Sequence, residues 1–179
     1  EFSGESDWTI QMSDASSGTH SARSGLLTDA NEGEYITSDM SLSITTVEDG
    51  SISFSAKTSC EDVGSSSGNY YDYLAFYING IEQDKWAGES DWSNVSFSVP
   101  VGEHELMWRF NKDQGVSSGD DLVWIDNIVF PPCNNIGSVL GDLNFDGAIN
   151  VLDVVTLINM ILGVSDPDYS SGDMNSDGA

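Results

Sequence analysis

Residues 51–56 alternate strictly, with Ile52, Phe54 and Ala56 apolar and Ser51, Ser53 and Ser55 polar. Successive side chains of a strand point to opposite faces, so this run predicts a strand with one buried and one wet face. Val95, Phe97 and Val99 repeat the pattern against Asn94, Ser96 and Ser98, and Leu106, Trp108 and Phe110 alternate with Met107 and Arg109. Residues 70–78 and 122–130 are apolar at nearly every position, which predicts central strands covered on both faces. Asn79-Gly80 closes the first of these runs. Both residues tolerate the positive φ of a type I′ hairpin turn, so the next strand should begin near Ile81.

Gly, Ser, Asn and Asp separate these runs, with exposed loops expected at 65–68 and 116–120, and Pro131-Pro132 cannot join a ladder. The predicted fold class is therefore mainly β, an antiparallel sandwich over residues 1–132. After a linker at 133–139 the period changes. Val154, Val155, Leu157, Ile158, Ile161 and Leu162 form one apolar stripe at helical spacing, so residues 140–179 should carry a short helix.

Charge narrows the partners. With 30 Asp+Glu against 5 Lys+Arg the formal charge is -25, which repels phosphate backbones and anionic membranes and argues against nucleic acid. No stretch approaches the roughly 20 apolar residues of a membrane span, so no membrane insertion is expected. So many carboxylates suit an exterior, calcium-rich medium, which points to a secreted or cell-surface protein. Cys60 and Cys133 lack metal-site or redox spacing, which leaves either a disulfide or two free thiols.

The strongest chemical signal is the stretch from Asp142 to Asp153. It places oxygen side chains at loop positions 1, 3, 5, 9 and 12 and a glycine at position 6 for the sharp turn. Calcium takes six to eight oxygens at about 2.3–2.6 Å. Asp142, Asn144 and Asp146 would bind it through side chains and Ala148 through its carbonyl. Asn150 would act directly or through water, and Asp153 would close the shell with its carboxylate. Asp173, Asn175 and Asp177 begin a second copy, which stops before its positions 9 and 12.

This duplicated loop resembles type I dockerins, whose two loop-helix repeats bind calcium and dock on a cohesin. The resemblance implies Ca2+ as cofactor and a cohesin-like partner, with Val151 and Leu152 at the partner-reading positions. Residues 71–80, 86–92, 101–104 and 123–128 are similar to the jelly-roll modules called cleaved-adhesin domains, distant relatives of MAM domains. That likeness implies a structural calcium at Asp126, with hydrogen bonding to backbone as the alternative; Asp72 is read the same way. Such modules usually begin with a strand before residues 2–4, so an open sheet edge that a neighbouring copy of the chain could fill is a further expectation.

Catalysis is not expected. His20 and His104 are the two histidines, neither lies in a motif, and carboxylates are too abundant for any pair to be informative. Trp86, Trp92 and the tyrosines Tyr70, Tyr71, Tyr73 and Tyr77 could offer flat apolar faces to a sugar ring, Trp86 and Trp92 being singled out among them, with core packing as the alternative. The acidic loop 113–121 is expected to be solvated. The sequence thus predicts a non-catalytic adhesion, glycan-binding or surface-protein-binding module tethered through a dockerin-like segment. A non-catalytic part of a larger secreted hydrolase and a self-assembling extracellular subunit are the alternatives.

Overall fold

The computed structural model describes residues 1–28, 34–115, 117–133 and 151–161. The chain divides into two units, Glu1–Cys133 and Asn134–Ala179.

The first unit has ten strands: β1 (Phe2–Gly4), β2 (Thr9–Gln11), β3 (Ser21–Arg23), β4 (Ile36–Thr46), β5 (Gly50–Ser59), β6 (Tyr73–Ile78), β7 (Ile81–Trp86), β8 (Ser93–Val99), β9 (Gly102–Lys112) and β10 (Leu122–Val129). They form two five-stranded antiparallel sheets, ordered β1-β4-β9-β6-β7 and β2-β3-β10-β5-β8. From β3 onward the chain changes sheet at every connection except the β6–β7 hairpin, which is the winding of a jelly roll.

The alternating runs face where their period says. Ile52 and Phe54 of β5 and Leu106, Trp108 and Phe110 of β9 are buried against one another between the sheets. Phe54 is the hub of this core. Its ring lies 5.0 Å from Phe76, 5.5 Å from Trp108 and 6.0 Å from both Trp86 and Phe97. Asn79 and Gly80 turn the β6–β7 hairpin with φ of 53° and 74°, the left-handed pair that the turn demands.

One expectation changes, and one open alternative is decided. The central strand begins at Tyr73 rather than residue 70, because Asp72 bends the chain by accepting the backbone N–H of Asp113 at 3.0 Å. The cysteines are both free, Cys60 buried and Cys133 half-buried. Cys60 follows Ser59, which pairs with Leu122 at the start of β10, whereas Cys133 lies beyond Val129 and bridges to Thr46. The eight-residue length of β10 separates them by more than ~20 Å, far outside disulfide reach. Burial pushes the Cys60 thiol up to about 12, so it stays protonated and inert.

In the second unit, α1 spans Val151–Ile161. Its stripe is not covered among the described residues: Val154, Val155, Leu157 and Ile158 are all exposed. No helix among the described residues is long and apolar enough to cross a membrane.

Candidate functional site

At one end of the sandwich β5, β7 and β9 finish, and β4, β6 and β10 start. A compact turn at residues 64–69 sits there, closed by Gly68 N–H donating to the Gly64 carbonyl at 2.7 Å and Gly64 N–H to the Asn69 carbonyl at 2.9 Å. It presents Asn69, Tyr70 and Tyr71 beside Tyr35, Tyr73, Lys85 and Asp113, and together they line an open cleft of about 430 Å³.

The tyrosines brace one another. Tyr73 meets Tyr35 edge-on at 6.1 Å and Tyr70 edge-on at 5.7 Å, while the Tyr35 hydroxyl donates to the Tyr70 carbonyl at 3.2 Å. Lys85 extends over this cluster, its Nζ 4.8 Å from the Tyr70 centroid and 5.4 Å from that of Tyr73. Glu82 holds the ammonium at 3.1 Å and raises it above the usual lysine range. Burial raises the Tyr35 and Tyr73 phenols, so both remain protonated donors at neutral pH. Flat rings, an amide, a carboxylate and an ammonium therefore meet in one cleft.

Beneath it lies a buried ionic cluster. Lys112 Nζ is 3.2 Å from Asp72 Oδ2 and 3.1 Å from Asp121 Oδ2, and its side chain is 1% exposed. Burial alone would pull the ammonium down; the hydrogen bond to Asp121 and the charge of Asp72 outweigh it and leave Lys112 raised. Burial also raises Asp72, partly offset by Asp113 N–H and by Lys112. Carboxylate oxygens of Glu61, Asp72 and Asp113 lie within 4.8 Å of one another, and burial and these neighbours raise Glu61. The 113–121 loop is thus not merely solvated as expected: Asp121 is buried against the Lys112 ammonium.

The other sequence candidates are dispersed. Trp86 packs edge-on against Phe54 and Phe97 at the core, and half-buried Trp92 donates Nε1–H to Asp14 at 2.9 Å. Asp14 also pairs with Lys57, and these bonds, that of Lys57 first, hold its carboxyl below the usual range. Asp126 Oδ2 accepts the backbone N–H groups of Ser16 at 2.8 Å and Ser17 at 3.0 Å, the backbone-bonding alternative for this residue. His104 binds Pro100 and Asn79, a turn-bracing role. Asp153 is 3% exposed in the first turn of α1, while Val151 beside it is 71% exposed. Asp142, Asn144, Asp146, Ala148, Asn150, Asp173, Asn175 and Asp177 lie outside the described residues, as does the Leu152 side chain.

The chain combines a jelly-roll β-sandwich with a C-terminal segment of defined type: residues 140–179 match the family described as Dockerin type I domain. No curated protein matches the chain. Among solved structures it is similar to the secreted serine protease VesC from Vibrio cholerae (15% identity, TM-score 0.47), covering 69% of this chain but 24% of that one. It is also similar to TmCBM61, solved in complex with beta-1,4-galactotriose (14% identity, TM-score 0.48, covering 72% and 84%). A third is the K1 cleaved adhesin domain of Lys-gingipain from Porphyromonas gingivalis W83 (9% identity, TM-score 0.45, covering 71% and 88%).

Proposed function

We propose that this protein is an extracellular, non-catalytic glycan-binding module, tethered through a calcium-loaded dockerin segment to a cohesin-like partner. The tyrosine cleft carries the glycan reading. Its rings offer apolar faces to the C–H side of a sugar, while Asn69, Asp113 and Lys85 offer hydrogen bonds to hydroxyls around it. Of the aromatics named for this role from sequence, Tyr70, Tyr71 and Tyr73 line the cleft, joined there by Tyr35, while Trp86 and Trp92 lie elsewhere.

The donor set of the C-terminal segment fits calcium. Asp142, Asn144 and Asp146 would supply side-chain oxygens, Ala148 a carbonyl, Asn150 a direct or water-borne contact and Asp153 the closing carboxylate. The burial of Asp153, beside exposed valines, supports this reading. A bound ion would tie the loop to α1. The exposed face of Val151, Val154, Val155 and Ile158 then offers apolar surface to a cohesin-like partner.

Two measurements test these halves separately. Calcium titrated into chelator-stripped protein should bind at micromolar or tighter levels with a gain in helical circular dichroism, and Asp153→Ala should weaken binding at least about tenfold. No heat in the parent protein would sink the calcium reading. A panel of neutral oligosaccharides should include at least one bound by the parent protein and lost in Tyr70→Ala with melting temperature unchanged. Equal binding by the two proteins would remove the cleft from consideration.

A further inference from the structure

The cleft does not end at Tyr73. The faces of β6 divide cleanly: Leu74 and Phe76 enter the core at 0% exposure, so Tyr73, Ala75 and Tyr77 belong to the outer face of the sheet. In register beside them on β9 stand Asn111, Arg109 and Met107, and Lys85 of β7 lies opposite Ala75. Ala75 is itself 0% exposed although it faces outward, so the long side chains around it close over it. They form a floor rather than a row of separate projections.

Ring and cation alternate along that floor. Arg109 Cζ is 5.9 Å from the Tyr77 centroid, and Lys85 Nζ is 5.4 Å from that of Tyr73 and 4.8 Å from that of Tyr70. Both cations are neutralised in place. Arg109 donates Nε–H and Nη2–H to the two Asp39 oxygens at 2.8 and 2.7 Å, and Lys85 pairs with Glu82. The Asp39 clamp fixes the guanidinium plane over Tyr77, which makes this edge of the floor rigid.

We infer that the tyrosine cleft is one end of a longer track, running from Tyr70 over Tyr73 to Tyr77 and Arg109, that binds internal stretches of a linear, uncharged polysaccharide. This deepens the glycan reading and rests on it. Four residues of strand put Tyr73 and Tyr77 about 13 Å apart, a span of several sugar units rather than one. Local neutrality suits a polyhydroxyl chain, and the -25 charge of the protein disfavours a polyanion. The track is continuous with the cleft because Tyr73 and Lys85 belong to both.

The test is calorimetry with neutral cello-, xylo-, manno- and galacto-oligosaccharides from disaccharide to hexasaccharide. In the series that binds, affinity should rise with length to at least the tetrasaccharide. Tyr77→Ala should lower hexasaccharide affinity about tenfold and leave disaccharide affinity unchanged, whereas Tyr77→Phe, which keeps the ring, should preserve the gain. Tyr70→Ala should lose both ligands. Affinity that stops rising at the disaccharide, with Tyr77→Ala equal to the parent, would overturn the track and leave the cleft standing. No binding of any series by the parent protein would overturn both.

Discussion

Lys112→Met should destabilise the sandwich by about 3–5 kcal/mol at neutral pH, the cost of removing one partner from a buried ion pair. The ammonium sits between Asp72, 0% exposed, and Asp121. Methionine fills the same volume, so the loss is electrostatic: two carboxylates are left in a pocket that water does not reach. The pH dependence follows from Asp72. Its folded pKa already lies above the ordinary carboxylate value because of burial, so its ionised form opposes folding, and its contribution to stability is greatest at low pH. Without Lys112 that pKa should rise further. The gap between variant and parent should therefore be widest above the carboxylate range and narrow as pH falls through it. Lys112 is raised, so in the parent its contribution is full below the usual lysine pKa and is lost as pH climbs through the folded value. Denaturant unfolding across pH checks this. A loss that stays constant down to acid pH would mean that shape, not charge, keeps the lysine there.

Phe54→Ala should cost a comparable ~3–5 kcal/mol, independent of pH. Four aromatic neighbours surround the ring, drawn from both sheets: Phe97 comes from β8, in the same sheet as Phe54, and Phe76, Trp86 and Trp108 from the facing one. Such rigid rings cannot collapse into the space vacated, so a cavity remains. The midpoint of urea unfolding should fall with little change in slope. A loss below about 1 kcal/mol would show that the two sheets can close over the gap, and that Phe54 is not the hub of the core.

These variants probe different kinds of information in the chain. Phe54 was legible from its own neighbourhood, because a strict period of two names the inward face without reference to the rest of the protein. The same local rule covers Ile52, Leu106 and Trp108, and the turn chemistry of Asn79-Gly80 set the β6–β7 hairpin. It also applies to β4, where Ile36, Ser38, Met40, Leu42 and Ile44 share one face. Interspersed Ser and Thr hid that alternation, and only pairing with β9 along its whole length makes the strand evident. The helix from Val151 was equally local, since its apolar stripe repeats within a few positions.

The cleft was legible only in part, since Tyr70, Tyr71 and Tyr73 stand among the sequence's stacking candidates but their grouping with Tyr35 and Lys85 does not show there. Tyr35, Tyr70, Tyr73 and Lys85 meet only because the jelly-roll winding brings the ends of β4, β6 and β7 to one side of the sandwich. The apolar run predicts Tyr70 and Tyr71 as strand, but the chain bends at Asp72 and the strand starts at Tyr73. The sequence left Trp86 between ligand stacking and core packing, and its place at the end of an edge strand turns it against Phe54. The sequence alone thus determined the alternating strands β5, β8 and β9, the Asn79-Gly80 turn and the helix, because those properties depend on neighbours a few positions away. The tertiary structure decided which distant side chains share a site and how Asp72, Asp121 and Lys112 are charged and buried together, since those depend on contacts between residues tens of positions apart.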